Sequence, residues 1–303
     1  MKFADASRVK QGWYLLARSR RLRRHQVRAA EVGPRRLVLY RDGAGRAHVA
    51  ADRCPHLGSD LALGKVTAEG LCCPFHGWCW DAEGACAVAP GQASPPQRRL
   101  RQYATEERWG FLWAWLGTEP AFPLPDIAAE TTATPRRFAL PPQRVKAHAD
   151  VVFANLFDVA HFAPSHGIEL SSTALDEDAP WRLTHRFTGR LPRRQPLSAV
   201  GLAGQDLDAT ATQYGGGIVH VRVRRPLPYT ILFTLRPDGT GSRAQTTLFL
   251  ERRRDAPRAA ALLWSIAADD LEIMETIDWT GAYAAGDEVL ARYARFVEAL
   301  PAW

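Results

Sequence analysis

What the sequence lacks narrows its class first. No apolar run of about 18 residues occurs, so no membrane-spanning helix is expected. Met1-Lys2-Phe3-Ala4-Asp5 is not the charged start and apolar run of a secretory leader. Cysteine is scarce, 5 in 303 residues, and the odd number argues against a disulfide framework. Cys72, Cys79 and Cys86 crowd together and cannot all pair, so free buried thiols in a reducing, cytoplasmic setting are expected. No Gly-x-Gly-x-x-Gly follows a strand-like run, and no Cys-x4-Cys-x2-Cys occurs. Those absences exclude a built-in dinucleotide domain and a plant-type ferredoxin cluster. No internal repeat is evident.

What remains is a globular chain, 46% hydrophobic, with a formal charge of +7. The most basic run is Arg18-Ser19-Arg20-Arg21-Leu22-Arg23-Arg24-His25. No aromatic residue interleaves it, so a solvated surface is expected there rather than a nucleic-acid site. Short runs at 12–16, 36–41 and 46–51, the last two joined by Asp42-Gly43-Ala44-Gly45, predict strands and a hairpin. With strand-like segments near 65–72, 78–80 and 109–116, they predict a small antiparallel β domain over 1–118. Pro120, Pro123 and Pro125 mark the boundary. Within 119–303 a helix is predicted over 146–162, then antiparallel strands at 181–191, 207–213, 217–224, 229–236 and 243–252. Helical spacing returns from 257 to 299 through Leu271, Met274, Ile277, Val289, Leu290, Tyr293 and Phe296. The fold class is α+β.

The chain is organised around Cys54-Pro55-His56 and Cys73-Pro74-Phe75-His76-Gly77-Trp78, sixteen residues apart. Two Cys-plus-His pairs on facing loops make a site of two sulfurs and two nitrogens. Tetrahedral zinc accepts such a set, but zinc pairs usually leave roughly two to four residues between ligands. Cys54 and His56 leave one. That gap better suits ligands on different irons of a [2Fe–2S] centre in which two His replace two Cys on one iron. The flanks include Gly58, Leu61, Trp80-Asp81-x-x-Gly84 and Trp109-Gly110-Phe111-Leu112-Trp113-Ala114-Trp115-Leu116-Gly117. Together these resemble the α-subunit of Rieske non-haem iron oxygenases.

A second constellation lies downstream. Asn155, Asp158 and His161 recur every three residues among apolar neighbours, a slanting stripe on one helical face. An unpaired buried carboxylate there would be costly. Pro164 disfavours helix at Ala163. Unwinding after Phe162 is expected to bring His166 beside His161, since on a continuous helix the two would point about 140° apart. Two His and one carboxylate with open positions form the facial triad of non-haem Fe(II) oxygenases. Asn155-x2-Asp158-x2-His161-x4-His166 resembles the mononuclear-iron motif of the same family. The resemblance implies His161 and His166 as iron ligands, with Asn155 and Asp158 as catalytic residues and Asp158 a bridging carboxylate rather than a ligand. Candidates for a third ligand are Asp269, Asp270, Glu272, Glu275 and Asp278. Asp270, followed five residues later by Glu275, fits the family pattern, with Asp269 as the alternative.

The resemblance further implies an N-terminal Rieske domain holding a [2Fe–2S] cluster through Cys54, His56, Cys73 and His76. It implies a C-terminal helix-grip catalytic domain holding mononuclear Fe(II). The implied activity is O2-dependent hydroxylation or oxidative demethylation of a small aromatic or cyclic substrate, with monooxygenation favoured over ring dioxygenation. A homotrimer is implied, in which His76 of one subunit hydrogen-bonds Asp158 of the next. A separate ferredoxin or NAD(P)H-dependent flavin reductase would supply electrons, an acidic donor being steered by the basic surface. A Rieske electron-transfer protein without oxygenase activity is the alternative. Phe153, Phe157, Phe162 and Trp264 are candidate pocket walls, each equally a core residue. Gly215-Gly216-Gly217 is a candidate bulge or a plain turn.

Overall fold

The computed structural model describes residues 4–5, 7–127, 135–239, 241–267 and 270–303. The chain forms two compact units, Trp13–Pro120 and a second that joins Met1–Gly12 to Ala121–Trp303. The division lies near the proline-marked boundary, but the N-terminal segment goes with the C-terminal unit instead of the first domain. Local pairing accounts for this. Lys10 is buried and ion-paired to buried Asp150, and a buried ammonium stays only where it is paired. Gln11 N–H donates to Pro301 O at 2.8 Å, and Trp303 N–H donates to Val9 O at 2.8 Å.

The Trp13–Pro120 unit is built from small antiparallel sheets. Gly12–Arg18 pairs with Phe111–Leu116, which pairs with Thr105–Arg108. Val27–Val32, Arg35–Arg41, Ala47–Ala51 and Gln102–Tyr103 form a second sheet, and Asp42 to Arg46 turns the expected hairpin. Lys65–Thr67, Gly70–Cys72, Cys79–Trp80 and Cys86–Val88 form a third. Cys54 and Cys73 belong to a buried cluster with Tyr40, Leu61, Leu71, Trp78 and Trp80. The two cysteine loops are therefore rooted in a packed core.

The second unit is an eight-stranded antiparallel sheet with helices. Its strand order is Arg136–Ala139, Gly241–Leu250, Tyr229–Asp238, Ile218–Arg225, Asp206–Tyr214, Arg182–Arg190 and Glu169–Ala179, with Gln143–Val145 also paired to Gly241–Leu250. The helices are α1 (Ala149–Ala154), α2 (Phe162–His166), α3 (Ala256–Ala267), α4 (Asp270–Met274) and α5 (Glu288–Ala299). Strand alternation separates the two sheet faces. Leu183, Phe187, Ala209, Ala211, Val219, Val221 and Ile231 face the core that also holds Phe153, Phe157, Phe162 and Tyr293. The opposite face carries Arg182, Thr184, Arg186, Thr210, Thr212, His220 and Arg222, in register across three strands.

Candidate metal centres

The two cysteine loops close by the same pair of backbone bonds. Cys54 N–H donates to Ser59 O at 2.9 Å, and Gly58 N–H returns to Cys54 O at 2.8 Å. In the second loop Cys73 N–H donates to Trp78 O at 2.8 Å, and Gly77 N–H to Cys73 O at 3.1 Å. This turn requires positive φ at its fourth step, supplied by Gly58 (78°) and Gly77 (70°).

The four side chains sort by donor type. The Cys54 and Cys73 thiols are buried within hydrogen-bonding reach of each other. The His56 and His76 rings lie 4.6 Å apart, and His56 stacks on Trp78 at 4.0 Å. His56 Nδ1 has no hydrogen-bond partner among the described residues, which leaves it available as a ligand. Sulfurs on one side and nitrogens on the other are what a cluster requires when one iron is held by two cysteines and the other by two histidines. Burial pushes the Cys54 thiol up. At Cys73 burial also opposes ionisation, but the backbone N–H groups of Phe75 and His76 outweigh it and the thiol is lowered.

The expectation of free thiols beside these loops is corrected in part. Cys72 and Cys79 form a disulfide, because Gly70–Cys72 pairs with Cys79–Trp80 so that the two cysteines stand directly opposite, Cα–Cα 4.0 Å. Cys86 is a free buried thiol.

The second constellation is positioned by a break. The predicted helix over 146–162 is instead α1 and α2 with a turn between them. The chain leaves helix before Asp158 instead of after Phe162. Pro164 lies in the first turn of α2, where its missing N–H forfeits no helical bond. The Leu156 carbonyl, in the break, accepts from His185 Nδ1 at 2.8 Å, and His185 Nε2 meets Thr173 Oγ1 at 2.7 Å. Because a carbonyl only accepts, Nδ1 carries the proton; burial lowers the ring's pKa, against the opposing pull of the Leu156 bond. His185 is a supporting residue that the sequence reading missed. Its signal was a histidine at an inward position of a strand otherwise apolar on that face.

His161 directs Nδ1–H to Asp158 O at 2.6 Å, which leaves the Nε2 lone pair facing His166 Nε2 at 3.1 Å. His166 Nε2 lies 3.2 Å from Asp270 Oδ2, and that oxygen accepts from Asn155 Nδ2 at 2.6 Å. One ligand atom each of His161, His166 and Asp270 fall within 4.8 Å of one another. Ligands about 2.1 Å from one ion and at right angles are about 3 Å apart. Two imidazole Nε2 atoms meeting beside a buried carboxylate suit a cation between them. Asp158 Oδ2 is 3.5 Å from His161 Nδ1. Burial acts to raise the Asp158 pKa, but His161 and the N–H of Ala160 hold it below the ordinary range.

Of the other acidic candidates, Glu275 accepts from Lys146 N–H at 2.9 Å, Glu272 and Asp278 are exposed, and Asp269 lies outside the described residues. Phe153, Phe157 and Phe162 are core residues, with Phe157 stacked on Tyr293 at 4.5 Å. Trp264 is 67% exposed. Gly215 to Gly217 form a plain turn, with Gly216 N–H on Gln11 O at 3.2 Å.

Residues 12–104 match the Rieske [2Fe-2S] domain family. The chain is 30% identical over 235 residues to aminopyrrolnitrin oxygenase PrnD of Pseudomonas fluorescens, covering 69% of this chain and 59% of that protein. It is 30% identical over 170 residues to a 3-ketosteroid-9-alpha-monooxygenase oxygenase component of Rhodococcus rhodochrous, covering 54% of this chain and 44% of that protein. The chain thus spans about half the length of these curated relatives. The fold matches dicamba monooxygenase bound to dicamba with a TM-score of 0.72 at 18% identity, over 98% of this chain and 97% of that one. No helix of the described residues is long and apolar enough to cross a membrane.

Proposed function

We propose that this chain, a Rieske-type protein related to oxygenase components, works as the terminal oxygenase of a multicomponent system. Residues 13–120 store electrons, and residues 121–303, with 1–12 joined to them, carry out the oxygen chemistry. Cys54, His56, Cys73 and His76 hold a [2Fe–2S] cluster, and His161, His166 and Asp270 hold one Fe(II). The cluster supplies electrons singly, and the iron supplies a binding place for O2 beside an organic substrate.

The protein's own residues do the rest. The Asp158 carbonyl fixes the His161 tautomer so that Nε2 faces the metal, as outer partners of ligating imidazoles do. Asn155 holds Asp270 against rotation. The buried wall around Phe162 and Phe187 keeps water out on one side. Asp158, 29% exposed at its side chain, bridges His161 to the exposed His76 of a neighbouring copy in a homotrimer. Electrons arrive from a separate ferredoxin or NAD(P)H-dependent flavin reductase in the cytoplasm, a reading supported by relatives that are named as oxygenase components. The relatives are named for aminopyrrolnitrin and a ketosteroid, and the structural neighbour binds dicamba. These names support a small cyclic substrate and hydroxylation or oxidative demethylation over ring dioxygenation.

The observation that carries this reading is the buried convergence of His161, His166 and Asp270. An electron carrier has no use for it. Iron analysis separates the two readings: about three irons per chain for the oxygenase, about two for the carrier. Substrate-dependent O2 uptake with a reductase–ferredoxin pair completes the test, and persistent failure across cyclic substrates by three-iron protein would refute the activity.

A further inference from the structure

The sheet face turned away from the metal-bearing core has chemistry that the oxygenase reading does not use. Three adjacent strands line a cleft of about 190 Å3. Four arginines border it, Arg182, Arg186, Arg222 and Arg224, over the hydroxyls of Thr210 and Thr212. Register places Thr210 directly opposite Arg186 on one side and Arg222 on the other. Arg224 Nη1 donates to Thr210 Oγ1 at 2.8 Å and reaches Asp208 Oδ1 at 3.3 Å. Arg186 is paired with Asp176. Arg222 has no carboxylate partner among the described residues. Beside it His220 is 2% exposed, and burial, with Arg222 nearby, holds its pKa down to about 4.

Cations set across neighbouring strands repel. Here all four line one cleft, with Arg224 reaching the buried Thr210 hydroxyl, so their field is focused into it. Guanidinium forks match carboxylate and phosphate oxygens two at a time. The volume is below the roughly 300 Å3 at which pockets for larger ligands begin. We propose that this cleft binds a small oxyanion, a carboxylate or a phosphate group, seated over Thr210 between Arg186 and Arg222. The concave, hydroxyl-floored shape favours a group that enters over an acidic protein surface that lies across.

The test uses the iron-loaded protein, with thermal unfolding and titration calorimetry in inorganic phosphate and in succinate. Potassium chloride at matched ionic strength is the reference. The expected result is a saturable rise in Tm with at least one of the two anions, absent with chloride; which anion binds more tightly identifies the source. Arg222→Gln should weaken that affinity at least about tenfold, and Arg222→Lys, which keeps the charge and loses the fork, should weaken it less. Arg20→Gln, an exposed arginine elsewhere, should leave it unchanged. An equal rise in chloride, or wild-type affinity in Arg222→Gln, overturns the proposal. So does saturable binding of polyglutamate with neither small anion bound, which would make the face a protein-docking surface. None of these readouts depends on oxygenase turnover.

Discussion

Cys54 and Cys73 stand on loops that close on themselves within six residues, whereas Asn155 and Asp270 meet across 115 positions of chain. The first centre is a local construction: two turns of one pattern, each with its glycine, rooted in one aromatic core. The second depends on a whole sheet being formed, since the strands from Glu169 to Leu250 lie between its halves. A site of the first kind is set by nearby backbone bonds. A site of the second kind is set by tertiary packing, so its parts are separately weak and jointly specific.

The sharpest way to break this comparison is to remove a ligand from one centre only. His161→Ala should abolish substrate-dependent O2 uptake, lower iron from about three to about two per chain, and leave the Rieske paramagnetic signal intact. Loss of that signal too would show that the centres are not separately built. Next in size is Asp158→Asn, which should keep both metals yet cut turnover by about 100-fold or more; normal coupled O2 uptake would remove the bridge. Asn155→Ala should weaken iron retention by about 10- to 100-fold against a chelator while the cluster's colour persists, because only the long-range centre uses that amide.

The smallest effect concerns acid stability of the second unit. His220 is held neutral in the fold, with a pKa lowered to about 4 by burial and then by Arg222. Below the unfolded value of about 6.5 the unfolded chain takes up a proton that the folded chain refuses. Stability therefore falls as pH drops from about 6.5 to about 4, by an amount on the order of 3 kcal/mol. His220→Gln should flatten denaturant-unfolding midpoints over that window; an unchanged slope would remove the assignment.

The same contrast explains what could be read in advance. The two cysteine loops and the hairpin turn were legible because spacing and glycine positions are local signals. Pro164 signals a stop in the sequence, but the first helical turn tolerates it, so the break between α1 and α2 falls earlier than its position predicts. Glu169–Ala179 was not recognised as a strand. It is the polar edge of its sheet, and Asp176 and Glu177 weaken the alternation. The Cys72–Cys79 bond depends on the register of a very short hairpin, which composition does not encode. His185 acts through a carbonyl 29 positions away, and no motif marks such a pair.

The span from Asn155 to Asp270 has one more consequence. It acts as a belt around the sheet, and the carboxylate at its far end is the buckle. A chain that has paired only some of its strands cannot fasten it, so half-finished molecules should be unable to take up the metal. On the proposed iron assignment, loading selects the correctly folded molecules.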